Sequence, residues 1–150
     1  VLIYFKNDLK KVFDSLNENS FEMNLEKYAK IVEKEIEKNV KRFEKEKEVY
    51  GDVYFWICDE EKFGLRSFVN NIVSTRYWNK TVLILMKKDK YYIISARRQD
   101  KKISVNDFLK NLLDGLDGSF YGGHVSAGGG HFLVKDLGEV KRRLKEYNKK

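Results

Sequence analysis

Cys58 is the only cysteine in 150 residues, so no internal disulfide can staple the fold. No apolar run approaches the roughly 20 residues that a membrane-spanning helix needs, and the start carries no signal-like pattern. Histidine occurs only twice, and no aspartate cluster has metal-ligand spacing, so no standard metal site is legible. No internal repeat or low-complexity linker interrupts the chain. These absences exclude a disulfide scaffold and a helical membrane protein, and the expectation is a soluble, cytoplasmic domain with no membrane partner.

What is present suits a packed domain, because 42% of residues are hydrophobic and 14% aromatic, enough to bury a core. The formal charge of +7 is unevenly placed. Residues 1–50 hold 11 Lys+Arg against 11 Asp+Glu, whereas residues 51–150 hold 19 against 12. A basic surplus in one region favours anionic partners such as nucleotides or nucleic acid.

Hydrophobic spacing sets out the elements. Val1–Phe5 is apolar enough for a short strand, and Leu9, Val12, Phe13 and Leu16 fall at helical spacing up to the polar "NENS" of residues 17–20. Leu25, Tyr28, Val32, Ile36, Val40 and Phe43 then recur every three or four residues, which predicts a long amphipathic helix over about Asn24–Lys47. Its single apolar stripe, with no sustained heptad, suits packing on a sheet or joining domains rather than a coiled coil. From there the pattern reads as a strand (52–58), a helix (65–77), two hairpin strands (81–86 and 91–97), a helix from 105 capped by Ser104 or Asn106, a strand "HFLV" and a basic amphipathic C-terminal helix. This alternation predicts an α/β fold with a mixed four- to five-stranded sheet covered by helices, preceded by the long amphipathic helix. Residues 1–48 read as a helical connector or N-terminal appendage, and 49–150 as the domain proper.

One stretch resists a purely architectural reading. "YGGHVSAGGGHF", residues 121–132, gathers five of the ten glycines and both histidines. A linker should separate two folding units, yet only one strand and one helix follow it. A simple turn needs one or two glycines, not two clusters around a histidine. The remaining reading is a strand-adjacent loop whose bare amides surround an anion, with His124 beside it.

The same residues carry a family resemblance. "GGHVSAGG", Gly122–Gly129, resembles the GGHxxAxG signature of the DHH-associated C-terminal domain of the DHH phosphoesterase superfamily, which includes RecJ-type exonucleases. "ISARR", Ile94–Arg98, resembles the Ser-x-Arg strand that precedes that signature, and "FGLRSFVNNI" resembles the glycine-led helix after the domain's first strand. Order and spacing agree over about Asp52–Tyr147. The sequence departs from the family at Gly128, where an alanine is common, and in the glycine-rich run to His131.

The resemblance implies a domain that holds substrate across a cleft from a separate catalytic domain. It implies phosphate or nucleic-acid contacts by Gly122, Gly123, His124, Ala127, Gly129, Ser95 and Arg97, and a divalent metal, manganese or magnesium, in that other domain. No catalytic residue is expected here, because the DHH tripeptide is absent. The expected partner is single-stranded nucleic acid or a nucleotide, with replication or repair proteins as further candidates. The alternatives are a domain acting on short oligonucleotides, cyclic dinucleotides or nucleoside bisphosphates, or a non-catalytic replication scaffold.

Several residues have blander readings. His131 is expected to pack or face solvent, and Cys58 to be buried at a strand end. Asp59, Glu60 and Glu61 are expected to be solvated or capping. Adjacent Arg97 and Arg98 point to opposite sheet faces, so only one can face the glycine segment, and the family resemblance implies that it is Arg97. Arg66, Arg76, Lys87, Lys88, Lys101, Lys102, Arg142 and Arg143 are candidates for a backbone track, and Phe120 or Tyr121 for stacking on a base.

Overall fold

The computed structural model describes residues 8–16, 21–59 and 63–147. The expected strand at Val1–Phe5, the "NENS" segment, and Glu60 and Glu61 lie outside the described residues. Helices α1 (Leu9–Leu16) and α2 (Phe21–Glu46) lead into strands β1 (Glu48–Tyr50) and β2 (Val53–Cys58). Then follow α3 (Arg66–Arg76), β3 (Thr81–Lys88), β4 (Tyr91–Arg97) and α4 (Val105–Leu113). Strands β5 (Phe120–Gly123) and β6 (Ala127–Leu133), a 3₁₀ turn at Val134–Asp136 and α5 (Leu137–Tyr147) complete the order.

The six strands form one mixed sheet in the order β1-β2-β3-β4-β6-β5. Only β2 and β3 pair in parallel, and α3 is the crossover that joins them. Central β3 is apolar without alternation because both of its faces are covered. Leu83 and Leu85 enter one core with Phe108, Leu109, Phe132 and Leu144 from the α4 and α5 side. Val82 and Ile84 enter a second core with Val69, Val73, Trp56 and Phe43 from the α3 and α2 side. Phe43 is fully buried, edge-on to Trp56 at 6.0 Å, so the C-terminal half of α2 is part of this second core. Cys58 is buried at the end of β2, as its position suggested.

The α/β class and the mixed sheet match the sequence reading, but the sheet has six strands among the described residues. Strand β1 is three residues long and mostly exposed, too short for a periodic signal. The larger difference is in the glycine-rich segment. It is not a loop beside a strand: Phe120–Gly123 and Ala127–Leu133 are themselves paired strands, joined through only His124, Val125 and Ser126.

Close packing explains why glycine serves in these strands, where its propensity is poor. A Cβ at Gly130 would collide with the Phe120 carbonyl oxygen of β5. One at Gly123 would strike the Gly128 Cα and the Ala127 carbonyl oxygen. One at Gly128 would press on Leu109 at 3.0 Å and Val105 at 3.2 Å, both on α4. Gly122 is different, because the nearest atom to an added Cβ is a Phe120 ring carbon at 3.9 Å, an ordinary contact.

Candidate nucleic-acid interface

Directly opposed residues of neighbouring strands share a face, so the register sorts the candidate residues. Ile94 and Ala96 of β4 point into the α4 and α5 core, which leaves Ile93, Ser95 and Arg97 on the α3 side. Across β6 these pair with His131, Gly129 and Ala127, and Gly129 pairs in turn with Gly122 of β5. The α3-side face of β4, β6 and β5 therefore carries three successive rows: Arg97 and Ala127, then Ser95, Gly129 and Gly122, then Ile93, His131 and Phe120. The middle row is nearly bare. Helix α3 packs on β3 and β4, and α4 lies behind β5 and β6, so among the described residues the β6–β5 part of this face stays open. Phe120 is accordingly 62% exposed.

Five of the seven candidates, Ser95, Arg97, Ala127, Gly129 and Gly122, thus share one surface. Ser95 forms part of its support, since it is only 7% exposed. Asn70 of α3, wholly buried, donates from Nδ2 to the Ser95 carbonyl at 2.8 Å and to its Oγ at 3.0 Å. Arg97 is half-buried in a small cleft with Ser67, Phe68 and Asn71 of α3, and has no ion-pair partner among the described residues. A free guanidinium of this kind presents a planar fork of donors to phosphate or carboxylate oxygens.

Gly123 and His124 lie instead at the hairpin tip, where they line an open cleft with Lys101, Ser104, Asn106, Val125 and Ser126. The tip is held on three sides. The His124 N–H donates to the Ala127 carbonyl (2.7 Å), the Val105 N–H to that of Val125 (2.9 Å) and the Arg98 N–H to that of Ser126 (2.9 Å). The carbonyls are occupied inward, while the N–H groups of Val125 and Ser126 donate to no acceptor among the described residues. Paired carbonyls and unspent amides are the polarity an anion requires.

Arg98 faces away from Arg97, as strand parity predicted, but its part in holding the hairpin tip was not legible. It is 4% exposed, donating from Nε to Asp100 Oδ1 at 2.7 Å and from Nη2 to Oδ2 at 3.1 Å. This guanidinium, with the Lys102 N–H, holds the Asp100 carboxyl below its ordinary value. The pair clamps the segment whose backbone anchors Ser126. The signal was the Arg-x-Asp spacing directly after a strand; for Asn70 it was a polar residue on the apolar stripe of α3.

The other basic residues divide. Arg142 and Arg143 are engaged by Glu139, and Arg76 by Glu44. Lys87, Lys88, Lys101 and Lys102 are exposed. Asp59 is exposed and pairs with Arg42 at 2.6 Å. Among the described residues no three His, Cys, Asp or Glu side chains converge as a metal site.

Comparison with solved structures gives the fold a reference point. RecJ from Thermus thermophilus, in complex with Mg2+, superposes with a TM-score of 0.69 over 96% of this chain. The fold is RecJ-like. The identity is 15%, and the chain spans 23% of the RecJ chain it matches. A pGpG-specific phosphodiesterase from Vibrio cholerae, PggH, matches 89% of this chain at 19% identity and a TM-score of 0.55, over 44% of its own length. The C-Ala domain of Aquifex aeolicus alanyl-tRNA synthetase matches 67% of this chain at 17% identity and a TM-score of 0.55, over 96% of that domain. No family model and no curated protein matches the sequence. The likeness is one of fold, shared between RecJ, a pGpG-specific phosphodiesterase and a synthetase domain. Among the described residues, no helix of this RecJ-like domain is long and apolar enough to cross a membrane.

Proposed function

We propose that this chain is the substrate-holding domain of a RecJ-like phosphodiesterase, and that its open sheet face receives the phosphates of single-stranded nucleic acid. The observation that carries the reading is Gly122. Packing accounts for the bareness of Gly123, Gly128 and Gly130, but a side chain at Gly122 would meet nothing closer than an ordinary contact. Its bareness is useful to a ligand lying on Gly129 and Gly122, beside the buried Ser95 and two residues along the strands from Arg97.

In this reading Arg97 forks onto a phosphate that lies on the glycine floor, and the amides of Val125 and Ser126 with His124 and Lys101 receive a neighbouring one. This chain binds and orients. Hydrolysis belongs to a metal-bearing catalytic domain outside it, with replication or repair proteins as candidate partners of the whole. The test is a binding titration of a short single-stranded DNA by the full-length protein. Arg97→Ala and His124→Ala should each weaken binding about tenfold, the scale of one charge-assisted hydrogen bond. Unchanged affinity in both variants would remove these roles.

The likeness to a pGpG-specific enzyme favours one second reading, in which the same face takes a dinucleotide. Strand length separates the two. A site for long strands should bind an octanucleotide more tightly than a dinucleotide, and a dinucleotide site should not.

A further inference from the structure

The row beyond the glycine floor sets two rings, Phe120 and His131, beside Ile93. Phe120 of β5 stacks on His131 of β6 with centroids 5.9 Å apart and planes 25° apart. Tyr91 of β4, one row further on and opposite Leu133, meets His131 edge-on at 4.9 Å. His131 and Phe120 lie on the α3-side face two residues from Gly129 and Gly122, or about 7 Å along the strands. Packing within the domain does not require Phe120 to be aromatic, since it is 62% exposed and belongs to neither core.

We infer that Phe120 and His131 form a base-stacking platform, on which the nucleobase of a single-stranded nucleic acid lies while its phosphate rests on the Gly122–Gly129 floor. The inference rests on the functional reading above and adds the part of the substrate that the glycines and Arg97 do not address. A ring face accepts any base, so the platform supplies affinity without sequence preference. Tyr91 packs edge-on against the His131 ring and limits its rotation. Charge favours this occupant over a protein partner: Arg97 lies unpaired two rows away on the same face, and Lys101 and Lys102 are exposed beyond β4. His131, which its sequence position assigned to packing or solvent, thereby joins the interface.

The experiment compares two probes on the full-length protein: a short single-stranded DNA, and the same strand with abasic residues, which keeps the phosphates and lacks the bases. Phe120→Ala and His131→Ala should weaken binding of the base-bearing strand about tenfold, the scale of one base stack. Affinity for the abasic strand should stay within about twofold, and Phe120→Tyr should restore stacking. Equal losses on both probes, or none on either, would overturn the platform. Arg97→Ala tests the underlying reading separately, because it should weaken both probes alike. A loss on both with Arg97→Ala but none with Phe120→Ala leaves the phosphate site standing and rejects the platform. Failure of the unaltered protein to bind either probe rejects both.

Discussion

The five clustered glycines do different jobs, and substitution separates them. Gly130→Ala should destabilise the protein by about 1–3 kcal/mol, because the new Cβ drives into the β5 backbone. Gly122→Ala should leave stability unchanged or raise it by up to about 1 kcal/mol, because it stiffens the unfolded chain and meets only an ordinary contact with the Phe120 ring at 3.9 Å. If Gly122 serves a ligand, the same variant should bind single-stranded DNA more weakly. Thermal melts and a titration together read both effects, and normal binding by Gly122→Ala would count against the glycine floor. Asp100 gives a pH dependence at the same scale. Its carboxyl is held down by Arg98, so its contribution is complete above the ordinary carboxylate range and is lost as pH falls through the lowered folded value. Asp100→Asn should therefore cost stability at neutral pH. Its deficit relative to the unaltered protein should shrink below about pH 4, as acid melts followed by circular dichroism would show.

At the scale of elements, α4 and the hairpin tip depend on one another. Ser104 caps α4 by accepting the Asp107 N–H at 3.3 Å, while the Val105 N–H is taken by the Val125 carbonyl. Ser104→Ala should cost about 1 kcal/mol, the usual value of an N-cap. It should also speed amide exchange at Val105 and around residues 124–126, which hydrogen exchange resolves. Most helices and the β2, β3 and β4 strands were legible because their apolar periods are strong. The cap at Ser104 was legible because cap chemistry is local. The β5–β6 hairpin was not: its alternation consists largely of absent side chains, and glycine in strands normally signals a break. What makes it a strand is the close approach of α4 behind Gly128 and of β5 beside Gly130.

Across the whole molecule, one sheet separates a structural side from an open one. Helices α4 and α5 cover one face, whereas α2 and α3 cover only the β2, β3 and β4 part of the other. Phe43→Ala, in the α2 and α3 core, should cost about 3–5 kcal/mol in a denaturant melt. Binding to the open part should be salt-dependent. Arg97→Ala should reduce the slope of log affinity against log salt by about one, and Arg142→Ala, already engaged by Glu139 and Glu146, should leave it unchanged.

By itself the sequence determined the α/β class, most of the element boundaries and, as one of two positions offered, the cap of α4 at Ser104. These follow from periodicity and from short-range chemistry, which a linear chain displays directly. The tertiary structure alone decided that the segment is a hairpin rather than a loop, that Asn70 and the Arg98–Asp100 pair support it, and that His131 stands beside Phe120. Each of these depends on which strands lie side by side and in what register, and register is set by long-range packing that no local pattern encodes.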